Sequence, residues 1–177
     1  MKGIIFTEFL DMVEKKFSID TVDKIIESSN LASGGSYTSV GTYPHTEMAE
    51  LVVNLGRETG IPVKDLLIAF GNYLFNRLAV LYPSFVVFEN GLLFFLESIE
   101  NHIHIQVRKL YPDAELPQFN TKRIHEKKLE MIYVSERHLG DLAEGLLMGA
   151  IEFFKQEASL KRERQLDETI KFTIELI

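Results

Sequence analysis

The sequence predicts an α+β fold, with a helical N-terminal part followed by a C-terminal part of helices and a small antiparallel sheet. Three observations support this. Apolar residues recur at three- and four-residue spacing through the first 110 positions, the period of a helix with one buried face. Farther on, LEMIYVSE and IKFTIEL alternate apolar and polar residues, as a half-buried strand does. The prolines fall between these runs and not inside them.

The first helix is expected over Lys2 to Phe17, where Ile5, Phe9, Met12, Val13 and Phe17 keep helical spacing. Asp20 is a suitable cap for a short helix from Thr21 to Ser28. The stretch SSNLASGGSYTSVGTY then reads as a loop turning at Gly34-Gly35. Pro44 and Thr46 open a helix that runs to Thr59 and is stopped by Gly60. Pro62 starts another, Val63 to Leu81. After Asn90-Gly91 comes one long proline-free helix, Gly91 to Tyr111, with Ile99, Ile103, Val107 and Leu110 as its apolar seam. PDAELPQFNTK reads as a connector without period. A strand over LEMIYVSE, a helix from Gly140 to Glu157 and two strands around a charged turn complete the chain.

At 177 residues, 46% hydrophobic and 25% charged, the composition is that of a globular chain. The formal net charge is -7, which argues against a general nucleic-acid binder, since that needs a basic face. There is no cysteine, so disulfides, thiolate metal ligands and covalent haem attachment are excluded. The opening MKGIIFTEFLDMVEKKF carries Glu8 and Asp11 within its apolar run and reads as an amphipathic helix, not a signal peptide. No window offers the roughly 20 apolar residues that span a bilayer. The expected compartment is the cytoplasm.

Two patterns carry candidate chemistry. His102 and His104 lie within one turn of the Gly91 to Tyr111 helix. Periodicity leaves the two equivalent, with His102 slightly nearer the seam. A histidine on such a helix is commonly a surface or satisfied core residue, and HxH without further ligands does not spell a zinc site. In YVSER, alternation puts Tyr133, Ser135 and Arg137 on one strand face. Two hydroxyls and a guanidinium can receive an anion there, although a solvated strand end gives the same pattern. His45, His125 and His138 fit no ligand spacing with one another and read as surface residues.

Taken together, MKGIIFTEFLDMVEKKF, FGNYLF, IHIQVRKLY, Pro117, YVSER and DLAEGLLMGAIEFF resemble the H-NOX (haem nitric oxide/oxygen binding) family over nearly the whole chain. These domains also serve as sensors of soluble guanylate cyclases. The resemblance implies a single domain over 1–177, with a helical subdomain over roughly 1–60, a ligating subdomain with the sheet over 61–177, and haem between them. It implies His104, not His102, as the proximal ligand of a non-covalent haem b. It assigns Tyr133, Ser135 and Arg137 to the propionates and Pro117 to contact with the macrocycle. Ile5, Phe9, Leu74, Leu78, Leu142 and Leu146 would line the pocket.

Oxygen-holding relatives place a tyrosine where this chain has Leu142, and polar helpers near Leu74 and Phe9. An apolar distal side therefore implies binding of NO and CO without a stable oxygen complex. Tyr73 carries a hydroxyl beside Leu74, but about 100° farther round the helix. The resemblance to bacterial stand-alone members further implies a separate signalling partner, a histidine kinase or a diguanylate cyclase. The competing classes are a haem enzyme of peroxidase or oxygenase type and a haem-free helical interaction module.

Overall fold

The computed structural model describes residues 1–86 and 91–177. Helix α1 spans Gly3–Lys16, with Lys15 and Lys16 in its last turn, where cations complement the helix dipole. Its expected first residue, Lys2, instead forms an isolated antiparallel bridge with Thr42. Helix α2 spans Ile19–Glu27. Its cap is Ser18, whose side chain accepts the Thr21 backbone N–H at 3.1 Å, and not the expected Asp20, which lies inside the first turn. A serine hydroxyl one residue before the helix satisfies an orphan amide, whereas Asp20 is better placed toward the dipole.

The Ser/Gly-rich loop is held by buried packing. Tyr37 stacks on Phe6 at a centroid separation of 4.4 Å. The carboxylate of Glu47, only 3% exposed, accepts from the Ser33 hydroxyl at 2.5 Å, the Tyr37 hydroxyl at 2.7 Å and the Ser33 N–H at 3.2 Å. Glu47 belongs to α3, His45–Thr59, which ends where Gly60 turns left-handed at φ 73°. A side chain is disfavoured in that conformation. Pro62 then leads into α4, Val63–Leu81, and a 3₁₀ turn at Pro83–Phe85 follows.

The predicted long helix is interrupted. α5 covers Gly91–Ser98, a π turn covers Ile99–Ile103, and α6 covers His104–Leu110. Asn90, read as part of the break before it, lies outside the described residues. The expected connector 112–122 is corrected too, because β1 occupies Gln118–His125. Its outer residues are polar and exposed, so its alternation is weak, as in many edge strands. β2 is Lys128–Val134, α7 Gly140–Phe154, β3 Ala158–Arg164 and β4 Ile170–Leu176. Helix α7 stops short of the expected Glu157, since Lys155 is left-handed at φ 51°. Next to it, Gln156 turns back to accept the Leu92 N–H at 2.7 Å. The strands form one antiparallel sheet in the order β1-β2-β4-β3. The chain is thus α+β, as predicted.

The buried side chains form two clusters. One joins α1, α2, α3 and the first half of α4, around Phe6, Phe9, Leu51 and Phe70. The other joins α5, α7 and the inner sheet face, including Leu129, Met131, Phe172 and Ile174. Helix α4 serves both, through Leu66 to Leu74 on one side and Phe75 and Ala79 on the other.

It crosses α7 at glycines. A Cβ on Gly145 would sit 2.1 Å from the Ile68 carbonyl oxygen, and one on Gly71 would sit 2.3 Å from that of Leu142. The two backbones therefore touch. No helix among the described residues is long and apolar enough to cross a membrane.

Candidate functional site

Between the two clusters lies a cavity of about 320 Å³, within the size range of small-molecule sites. Its wall is mainly apolar and draws on α1, α4, α7 and the segment from α5 to Pro117. Ile5, Leu74, Leu78, Leu142 and Leu146 all line it, as does Pro117. Phe9 does not. It is fully buried one layer back, edge-on to Phe70 at 5.1 Å, and belongs to the N-terminal cluster.

His104 is in the cavity wall and only 8% exposed, whereas His102 is exposed. The π turn makes this difference. The His104 N–H bonds to the carbonyl of Ile99, five residues back. His104 therefore stands over Ile99, where an α-helix would put Ile103. The imidazole Nδ1 is 3.0 Å from Glu100 Oε2, which also accepts the Phe119 N–H at 3.2 Å.

Burial lowers the His104 pKa, with Glu100 opposing the shift. Burial alone would raise Glu100, but the Phe119 amide and His104 hold it below the usual carboxylate range. His104 is therefore a neutral imidazole at pH 7, with Nδ1 engaged and Nε2 left as the nitrogen able to ligate.

Tyr133, Ser135 and Arg137 also meet at the cavity, but β2 ends at Val134. Only Tyr133 is presented by the strand, and the turn that follows brings in the other two. Tyr133 is buried among apolar groups, which pushes its phenol up against the opposing hydrogen bonds of Ser135 and the Leu139 backbone. The Ser135 hydroxyl accepts the Arg137 N–H at 3.2 Å. The Arg137 guanidinium grips the Glu115 carboxylate, whose own side chain is 82% exposed. This part of the wall is thus already arranged to hold a carboxylate near solvent.

Several wall residues escaped the sequence reading. Phe119 pairs with Tyr133 across the sheet and lies 5.5 Å from it and 6.0 Å from the His104 ring, centroid to centroid. Tyr82 at the end of α4 and Tyr111 just past α6 share a 2.8 Å hydroxyl contact, and burial helps push the Tyr82 phenol up to about 12. The signal for Glu100 was available, as an acid four residues before a histidine. Tyr73, in contrast, is turned away from the cavity, with its hydroxyl on Asp11 and 3.3 Å from Lys15. His45, His125 and His138 are exposed. Among the described residues no three His, Asp or Glu side chains cluster to hold a metal ion. One imidazole in such a wall suits a metal whose other ligands arrive with it.

The sequence matches the profile of the haem-NO-binding (HNOB) family over residues 2–162. The chain belongs to the haem-NO-binding family. Solved structures agree. The Fe(II) unliganded H-NOX protein of K. algicida, A71G mutant, is 44% identical, with a TM-score of 0.93 over 100% of this chain and 97% of that one. An H-NOX protein from S. oneidensis in the Fe(II)NO state is 29% identical, with a TM-score of 0.92 over 100% and 99%. The IWP-051-bound H-NOX from Shewanella woodyi in the Fe(II)CO state is 36% identical, with a TM-score of 0.85 over 99% and 94%. A search of curated proteins found no match. Among haem-NO-binding domains, this chain thus combines a buried histidine, a carboxylate-gripping arginine and an apolar wall in one cavity.

Proposed function

We propose that this chain is a haem-based nitric oxide sensor in which His104 is the proximal ligand and a separate signalling protein receives the output. The observation that carries the reading is His104 itself, an imidazole in the wall of an apolar cavity with Nδ1 bound to Glu100. The residues fit haem b. The apolar wall suits the macrocycle, and Arg137, already on the Glu115 carboxylate, is chemically matched to a propionate. Tyr133 and Ser135 offer hydroxyls beside it, and Pro117, in the same cavity wall, would contact the macrocycle.

Haem, when bound, supplies ferrous iron as the gas-binding centre. His104 would hold that iron through Nε2, and Ile5, Leu74, Leu78, Leu142 and Leu146 would line the space left for the gas. These side chains donate no hydrogen bond, and Tyr73 is committed to Asp11. A bound dioxygen, which carries partial negative charge, gains no donor from them, while NO and CO need none. His104 would tie α6 to the haem, and binding of NO would loosen that tie. A looser tie would let α6 and the turn before it shift against α4 and the N-terminal cluster, changing the population of two arrangements. The Fe(II)NO and Fe(II)CO states of the S. oneidensis and S. woodyi relatives support the ligand assignment. Resemblance to bacterial stand-alone domains favours a histidine kinase or a diguanylate cyclase as the receiver.

The test is the absorption spectrum of the ferrous protein before and after NO. A Soret band that moves on adding NO is expected, and His104→Gly removes histidine ligation while His102→Gly retains it. A protein that stays colourless after haem supplementation overturns the reading.

A further inference from the structure

We infer that Glu100 is a positioning residue that sets the strength of the bond between His104 and the iron, and through it the fraction of NO complex that keeps the histidine attached. The inference rests on the haem reading above.

The geometry starts in the π turn. Glu100 lies four residues before His104, and its Oε2 meets the imidazole Nδ1 at 3.0 Å. The same oxygen accepts the Phe119 N–H from β1 at 3.2 Å, while Oε1 is 3.6 Å from the Arg108 guanidinium on the next turn of α6. The carboxylate is therefore fixed from two directions that do not involve the histidine, and both favour its ionised form. Fixed in this way, it imposes one tautomer and one ring orientation on His104.

An ionised carboxylate draws the Nδ1 proton more strongly than a backbone carbonyl or water does. The electron density this returns to the ring makes Nε2 a better donor to a metal. The effect is larger because the imidazole is only 8% exposed, since a hydrogen bond out of water is electrostatically stronger.

A stronger bond on the His104 side resists the weakening that NO produces opposite it. Glu100 thus biases this chain toward retaining histidine after NO arrives. The Phe119 contact adds a second outcome. Motion of His104 that pulls on Oε2 also pulls on the first residues of β1, so the sheet edge is coupled to the ligand.

The experiment is resonance Raman and absorption spectroscopy of the ferrous and NO-bound holoprotein for wild type, Glu100→Gln and Glu100→Ala. The glutamine keeps an acceptor but removes the charge, and the alanine removes both. The expected order of the iron–histidine stretching frequency is wild type, then Gln, then Ala, from highest to lowest. The fraction of NO complex lacking histidine is smallest in wild type, larger in Glu100→Gln and largest in Glu100→Ala. Glu100→Gln is nearly isosteric, so it carries the test even where the alanine variant fails to fold. Identical frequencies and identical NO spectra in wild type and Glu100→Gln overturn the inference while leaving the sensor reading intact. Absence of any iron–histidine band in the wild type overturns the sensor reading itself.

Discussion

Gly145→Ala tests the contact on which the cavity is built. The added Cβ would lie 2.1 Å from the Ile68 carbonyl oxygen and 2.9 Å from both the Ile68 carbonyl carbon and the Gly71 Cα, against an ordinary contact of 3.4 Å or more. All three obstructing atoms are backbone, so no rotamer change relieves the overlap, and α4 must move away from α7. Overpacking of this kind costs about 1–3 kcal/mol. The upper end applies here, because a helix and not a side chain must yield. Replacing glycine in a helix interior returns about 1 kcal/mol of propensity. The net destabilisation is therefore about 2 kcal/mol, which for a chain of this size lowers Tm by roughly 4–8 °C. Thermal unfolding followed by circular dichroism measures it. Adding Ile68→Ala does not rescue the variant, since the clash is with the carbonyl. A Gly145→Ala protein as stable as wild type, or more stable, would refute the idea that the two backbones are in contact.

Three further outcomes follow from other parts of the structure. Burial alone would raise the Glu47 pKa, but the Ser33 hydroxyl, the Tyr37 phenol and the Ser33 N–H hold it below its ordinary 4.5. Its contribution is therefore full above about pH 4.5 and disappears as pH falls through the lower folded value. Glu47→Ala should cost about 2–3 kcal/mol at pH 7 in urea unfolding, with a penalty that shrinks below pH 4.5. Arg137→Ala removes a charge-assisted hydrogen bond worth about 1.5–3 kcal/mol, so haem transfer to an acceptor apoprotein should accelerate by about 10- to 150-fold. Leu142→Tyr introduces a hydroxyl into the cavity wall, and a ferrous oxygen spectrum that outlasts that of wild type in air is expected. Equal lifetimes would show that position 142 does not face the gas.

Much of this arrangement was legible in the sequence. The helices of the N-terminal part announced themselves by period and by Pro44, Gly60 and Pro62, because each buries one continuous stripe. β2 and β4 showed clean alternation because one face is covered, whereas β1 carries polar residues on its exposed side and passed as a connector. The histidines could not be separated by period, because a helical wheel assumes about 100° per residue throughout. The π turn breaks that assumption between Ile99 and His104. Only the wider match of IHIQVRKLY and YVSER pointed to His104. The approach of Ser135 and Arg137 was seen for a partly wrong reason, since they reach the cavity from a turn and not from a strand face. Phe9 was named as pocket lining from resemblance alone, and the packing of Phe70 stands between that expectation and its position in the core.

The π turn also determines how this helix tolerates gain or loss of residues. Deleting the exposed Asn101 leaves His104 four positions after Ile99, the ordinary α relation, so the ring keeps its place and Glu100 falls three positions before it, still on the same face. Inserting a residue there turns everything downstream by about a further 100° and carries the imidazole out of the cavity. The segment from Ile99 to Ile103 can therefore be one residue shorter without taking His104 out of the cavity wall, but not one residue longer.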